Sequence, residues 1–391
     1  MALTTVSSDR LSTNVKNTNF TAAEKQDLTN DILPLASQFG QSKNLVTNGA
    51  MRVSQRGTSF ATVSNNETTI DQFALTHPYG SSQMSISQST TSPDGFSNSY
   101  KLDVNTADTS IGAGQYVAIR HRIEAQNLQQ LAFGTSSAKS ISLSFYVRSN
   151  VTGTYAVNIQ QTDNSKKQVS ATYTINSANT WERKTFTFAG DTSGVINNDT
   201  GDGFEMLFYL AAGSNRNSGT ARSTFTAYNQ ADEAAGQTAN ILSSTSNEFY
   251  FTGVQLEASS VVTEFEHKSL SDDLMRCFRY YQLVALGSEG TGGTNVPLVS
   301  GAMYGGTTFY GVYDLKTRMR SAPTMESVTG TDYYYVYRGG SNDSCDEIST
   351  NNLSPMQCTI RMSGNLSGTN GDAGWARTNH ASAFAAFKAE L

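Results

Sequence analysis

The chain has 391 residues, room for two or three domains of ordinary size. Only 15% are charged, Gly numbers 32, and Ser, Thr and Asn stand where a helical bundle would carry Ala, Glu and Lys, while 37% apolar and 10% aromatic content excludes disorder. A net charge of −6 argues against a nucleic-acid partner, and no run of about 18 apolar residues is present for membrane insertion.

In chain order, the opening MALTTVSSDR lacks the basic head and apolar run of a signal peptide, so export by the usual secretory route is not expected. Thr21-Ala-Ala-Glu24 then reads as a capping box. A helix of about three turns should follow and stop near Pro34, which disfavours the helical region at Leu33. Its apolar face is thin, Leu28 and Ile32. Two readings stay open for residues 1–42: a polar tail with a nascent helix, or a docking peptide that orders against another protein.

From about residue 43 the pattern becomes period-two alternation. Ile141, Leu143, Phe145 and Val147 alternate with Ser142, Ser144, Tyr146 and Arg148, as in a strand with one wet face. Tyr155, Val157 and Ile159 follow, then Phe186 and Phe188, then Phe204, Met206, Phe208 and Leu210, and last Tyr250 to Leu256. Gly, Asn, Asp and Ser clusters such as Asp191–Gly194 separate them. Many strands with polar turns and no helical pattern between them predict a mainly β protein, an antiparallel jelly-roll sandwich over 43–267.

One helix interrupts. Ser271 can cap it, and Leu274, Cys277, Phe278 and Tyr281 recur at helical spacing, which predicts a linking helix within 268–285. Gly287 to Gly293 looks like a domain junction. A second, C-terminal β domain should fill 286–391, with Met356, Cys358, Ile360 and Met362 alternating and a final strand from Ala383 to Leu391.

Chemistry-bearing residues are sparse. Cys277, Cys345 and Cys358 have no metal-site spacing; they read as buried free thiols, a pair between 345 and 358 being the alternative. The histidines 77, 121, 267 and 380 stand singly, so no metal or cofactor is expected. Tyr333-Tyr334-Tyr335-Val336-Tyr337 is the most distinctive local feature. In a strand, Tyr333, Tyr335 and Tyr337 would share a face, a row of phenol rings able to stack on sugar C–H surfaces. The alternative puts one face in the core and the other at a subunit seam. Trp375, read as sitting in a polar loop, is a second stacking candidate, with polar loops at 342–352 and 363–372 around the rings. Glycoside cleavage needs two carboxylates roughly 5–10 Å apart. Asp346 with Glu347, adjacent in a strand, would point to opposite faces; Glu264 with Glu266 would share one, but surface solvation explains them. No coil-length repeat of a β-helix is present. The chain is not expected to be an enzyme.

Asn44-Leu-Val-Thr-Asn-Gly-Ala-Met51, Gln55-Arg-Gly57 and Asp71-Gln-Phe73 resemble the opening of a family of bacteriophage tail-fibre, or receptor-binding, proteins with a carbohydrate-binding-module-like jelly roll. Similar segments follow in order: Leu143–Ser149, Ala178–Arg183, Phe251–Glu257, Phe265–His267, Arg276–Gln282, Thr317–Pro323 and Ala381–Leu391. The resemblance spans about residues 43–391. It implies a virion component, commonly a homotrimeric fibre, attached to other virion proteins by its N-terminus, here Thr21, Glu24, Leu28 and Ile32. The distal β domains would then meet a host-surface glycan, with Tyr335, Tyr337 and Trp375 as the carbohydrate-binding candidates. A capsid-attached head fibre or decoration protein is the alternative of the same class, and a glycan depolymerase the alternative of another. Related modules often hold calcium with a Glu after the Asn-Gly opening. This chain has Met51-Arg52 there, and a basic residue repels the cation.

Overall fold

The computed structural model describes residues 43–391; the expected N-terminal helix with Thr21, Glu24, Leu28 and Ile32 lies outside them. The protein is mainly β, and its sheets are antiparallel. Two sheets face each other in a jelly-roll sandwich. One orders Ser59–Phe60, Met84–Ser89, Ser99–Val104, Glu248–Glu257, Ile141–Ser149 and Glu182–Phe188. The other orders Thr226–Ala227, Lys167–Ile175, Gly153–Gln161, Asp202–Ala212, Tyr116–Glu124, Phe73–Thr76 and Glu67–Thr68. Alternation decides what lies between them. Phe145 and Phe251 from the first sheet meet Phe208 from the second, with ring centroids 5.1 and 4.6 Å apart. Tyr173 stands edge-on to Phe145 at 5.2 Å.

The linking helix is shorter than its spacing suggests. It runs Leu270–Cys277, and its cap is Ser269 rather than Ser271, with the Ser269 hydroxyl accepting from the Asp272 N–H at 3.1 Å. Past Cys277 the chain turns and becomes the strand Tyr281–Leu286, because its backbone pairs with Phe384–Lys388. The second block's sheets therefore start before Gly287, and Gly287 is packed inside that block: a Cβ there would stand 1.9 Å from the His380 carbonyl oxygen. Cys277, Phe278, Tyr280 and Tyr281 are buried within the chain, while Leu270 and Met275 of the helix remain exposed. The final strand ends at Lys388, short of the expected Leu391, with Ala383, Ala385, Phe387 and Ala389 all buried.

The second block has its own core. A seven-stranded sheet orders Ser341–Cys345, Tyr334–Arg338, Ala373–Thr378, Pro297–Tyr304, Thr308–Asp314, Gln357–Ser363 and Glu347–Asn351. A three-stranded sheet, with Phe384–Lys388 between Tyr281–Leu286 and Thr324–Val328, closes the core's other side. Gly374, Gly301 and Gly311 are neighbours across three central strands. A Cβ on Gly301 would come within 1.9 Å of the Tyr310 carbonyl oxygen, so the sheet bends too closely there for any side chain. All three cysteines are buried and free.

Residues 44–391 form one compact unit. At the joint between its two cores, the fully buried Glu124 accepts from Arg279 Nε and Nη2 at 2.5 and 2.7 Å, and from the Tyr280 hydroxyl at 2.6 Å. Gln55 donates to the Tyr281 carbonyl at 2.9 Å and accepts from the Leu283 N–H at 3.2 Å. The Arg56 guanidinium lies 3.5 Å from the Tyr281 ring centroid and pairs with Glu390.

One core histidine sets an acid limit. Burial beside Phe73 holds His121 well below its ordinary 6.5, at about 4, although a ring nitrogen bonds the Gln72 carbonyl at 3.1 Å. Between those two values the unfolded chain binds a proton that the folded chain refuses, so stability falls as pH drops from 6.5 toward 4. His77, also lowered by burial, acts in the same direction; Asp71, raised by burial, opposes it. His121→Asn keeps a donor for Gln72 and removes the titration. Its melting temperature should change less than the parent's between pH 6.5 and 4, and parallel curves would assign the acid sensitivity elsewhere.

Candidate functional site

The tyrosine segment forms the strand Tyr334–Arg338, which turns through Gly339 and Gly340, both at positive φ as a tight hairpin requires, into Ser341–Cys345. Tyr334 and Val336 point into the core. The Tyr334 hydroxyl is anchored by donating to the Val328 and Phe384 carbonyls at 2.6 and 3.0 Å. Tyr335 and Tyr337, on the opposite face as alternation predicts, therefore face outward. Tyr333 does not join them. Asp332 at φ 56° breaks the strand just before it, and the Tyr333 ring stacks on His380 at 4.2 Å.

Trp375 is not in a loop. It belongs to the strand Ala373–Thr378, directly opposite Tyr337, and Gly374 beside it is required because a Cβ there would stand 2.5 Å from the Tyr337 carbonyl oxygen. The two rings lie side by side with centroids 5.9 Å apart and planes at 44°, each 38% exposed. Residues 342–352, expected to be a polar loop, are mostly the strands Ser341–Cys345 and Glu347–Asn351: Cys345 and Ile348 point inward, and Asn342, Ser344, Glu347 and Ser349 stand on the outer face. That register sets Asn342 beside Tyr337 and Ser344 beside Tyr335. Arg377, beside Tyr335 in the neighbouring strand, lies over both the Tyr335 and Trp375 rings at 5.2 and 5.9 Å and donates to Asn342 at 3.2 Å. The structure thus brings all three carbohydrate-binding candidates, Tyr335, Tyr337 and Trp375, onto one outer sheet face.

Sequence reading missed the partners on that face. Tyr304 is 73% exposed and meets Tyr310 edge-on at 5.7 Å, while Val312 is 66% exposed. Only the hairpin register of 297–304 with 308–314 brings the two tyrosines together; the signal was the Gly305-Gly306 turn between them.

The outer face of the jelly roll's seven-stranded sheet is arranged differently. Parts of the segment 213–240 lie over it, while Thr226–Ala227 within that segment pairs as the sheet's edge strand. Buried Glu233 accepts from the Tyr209 and Tyr228 hydroxyls, each at 2.7 Å, from Gln160 at 3.2 Å, and from Arg216. Ala234 packs on buried Ala118, Ala156, Leu207 and Tyr209. At the other end, Glu390 and Leu391 rim a small cleft with Arg120 and Arg122. The carboxylates weighed for catalysis have polar partners within the chain. Glu264 pairs with Arg183 at 3.0 Å, and Glu266 accepts from the Asn44 N–H at 2.8 Å. Asp346 accepts from the Asp332 N–H and from Asn365, both at 2.8 Å, and Glu347 from the Ser363 hydroxyl at 3.0 Å. Arg52 donates to the Lys268 carbonyl at 3.0 Å.

No protein-family model matches the sequence, and no curated protein sequence matches it. Among solved structures, the chain is similar to the enzymatically active domain of tailspike protein 4 of bacteriophage CBA120, at 13% identity and a TM-score of 0.30 over 55% of this chain. It spans only 21% of that protein's length. A family 4 carbohydrate-binding module is similar at 13% identity and a TM-score of 0.28, with 54% of this chain and 98% of that one covered. The xylan-binding domain of Xyn10C from Paenibacillus barcinonensis is similar at 10% identity and a TM-score of 0.25, with 52% and 94% covered.

Proposed function

We propose that the chain is a non-catalytic adhesive component of a phage particle, a tail fibre attached through its N-terminal segment that grips host-surface glycan with the outer face of its C-terminal sheet. The observation that carries this reading is the Tyr337–Trp375 pair. Two rigid rings, adjacent and open to water, give apolar contact to sugar C–H faces at low cost in side-chain entropy. Asn342, Ser344, Arg377 and the tyrosine hydroxyls stand around them to hydrogen-bond sugar hydroxyls. The virion assignment rests on the sequence resemblance, as does the homotrimer, which native mass measurement of the full chain tests. Several weak contacts on one particle would add up to firm attachment.

Trp375→Ala and Tyr337→Ala remove exposed rings, so both variants should fold with melting temperatures close to the parent's. Each should weaken adhesion to host cells by about tenfold, the scale of one good ring contact. Folded variants that adhere as the parent does would sink the site. Incubation with host polysaccharide should release no new reducing ends; their appearance would make the protein a depolymerase.

A further inference from the structure

We infer that the ligand face extends beyond the Tyr337–Trp375 pair and is built for a linear, anionic polysaccharide. The inference rests on the glycan reading above and specifies its ligand. Across the sheet from Trp375 come Ser300 and Ala302, small residues that leave a shallow floor. Past that floor rises the second aromatic group, Tyr304 and Tyr310. From Trp375 to Tyr310 is two strands sideways and two residues along, roughly 12 Å at ordinary strand spacing, the length of a few sugar units. Two ring clusters with a low floor between them fit a chain lying across the face; a single terminal sugar would need one cluster alone.

The charge on the face selects the ligand further. Arg377 sits at the first cluster and, among the described residues, its guanidinium hydrogen-bonds only neutral Asn342. Arg361 sits at the second, directly opposite Tyr310 in the next strand, and makes no ion pair among the described residues. Inward-facing Arg338, by contrast, is paired with both Asp343 and Asp372. The acids on the outer face stand at its margins and are engaged: Asp314 accepts from Gln357 at 2.6 Å and Glu347 from Ser363 at 3.0 Å. In a chain of net charge −6, two half-buried guanidinium groups without acidic partners among the described residues, one at each ring cluster, complement carboxylates spaced along a glycan.

The test titrates the full chain against an array of uronic-acid and sialic-acid oligosaccharides beside neutral glucans, each as disaccharide and octasaccharide. Acidic octasaccharides should bind about tenfold more tightly than acidic disaccharides, and more tightly than any neutral chain. Tyr304→Ala and Arg361→Gln, both at surface positions, should each bring octasaccharide binding down toward the disaccharide level and leave disaccharide binding unchanged. Equal affinity for both lengths, or long-chain binding untouched in these variants, overturns the extended face while the Trp375 site stands. Binding confined to neutral chains overturns the charge assignment. A folded Trp375→Ala variant that binds as the parent does, or a parent that binds no member, overturns the glycan reading as well. If Trp375→Ala changes the sedimentation coefficient and leaves glycan binding unchanged, the face is a seam between copies of the chain.

Discussion

Replacing Arg279 by alanine should destabilise the folded chain by about 3–5 kcal/mol, the cost of leaving a buried carboxylate without its cation. Glu124 has no solvent to fall back on, and Arg279 supplies two of its hydrogen bonds. The Tyr280 hydroxyl and Gln126 remain as neutral donors at 2.6 and 2.7 Å and do not balance the charge. Urea unfolding followed by tryptophan fluorescence measures the loss. Adding Glu124→Gln to Arg279→Ala should recover most of it, because the amide needs no counter-charge. A loss below about 1 kcal/mol in the single variant would show that water reaches Glu124 and that the joint is softer than its geometry suggests.

Phe145→Ala should cost a similar 3–5 kcal/mol by a different route, lost apolar burial plus the cavity left behind. Phe145 is fully buried and touches Tyr173, Phe186, Phe208 and Phe251, with centroids 5.1 to 6.0 Å away, so rings from both sheets line the hole. Rigid rings on paired strands cannot collapse into it. Phe186→Ala, at a half-buried position near the sandwich edge, should cost clearly less in the same assay. Equal losses would mean that the core repacks around Phe145.

Much of this was legible because strand periodicity leaves a strong imprint. Ile141 to Arg148 reads as a strand and the structure extends it only to Ser149, although Ser142 and Ser144 on its expected wet face are buried. That Tyr334 and Val336 share one face and Tyr335 and Tyr337 the other follows from alternation; that the first pair points inward is seen only in the structure. What failed was local chemistry overruled by distant pairing. Cys277 to Tyr281 keeps helical spacing, yet the chain's last strand claims the backbone from Tyr281 onward. Gly374-Trp375-Ala376 has loop composition, yet strands on both sides take up its hydrogen bonds. The segment 213–240 has no periodicity to betray that its Glu233 gathers the hydroxyls of Tyr209 in the sheet and Tyr228 in the same segment. Several segments that carried the family resemblance, Gln55-Arg56-Gly57 and Arg276–Gln282 among them, belong to the joint between the cores rather than to any ligand face.

That joint governs how copies of the ligand face would act together. Contacts from Gln55, Arg56, Glu124 and Arg320, the last donating to the Thr200 carbonyl at 3.2 Å, tie the two blocks at points far apart in the chain. A block held this way cannot swivel on a linker, so its rings keep one bearing relative to the jelly roll. For a second arm bound to the same surface, a rigid mount narrows the span of distances it can reach and raises the effective concentration at the spacing it fits. Under the adhesion proposed above, with several copies on one particle, attachment should depend sharply on receptor spacing, strong where glycan chains lie at the matching interval and steeply weaker on either side of it.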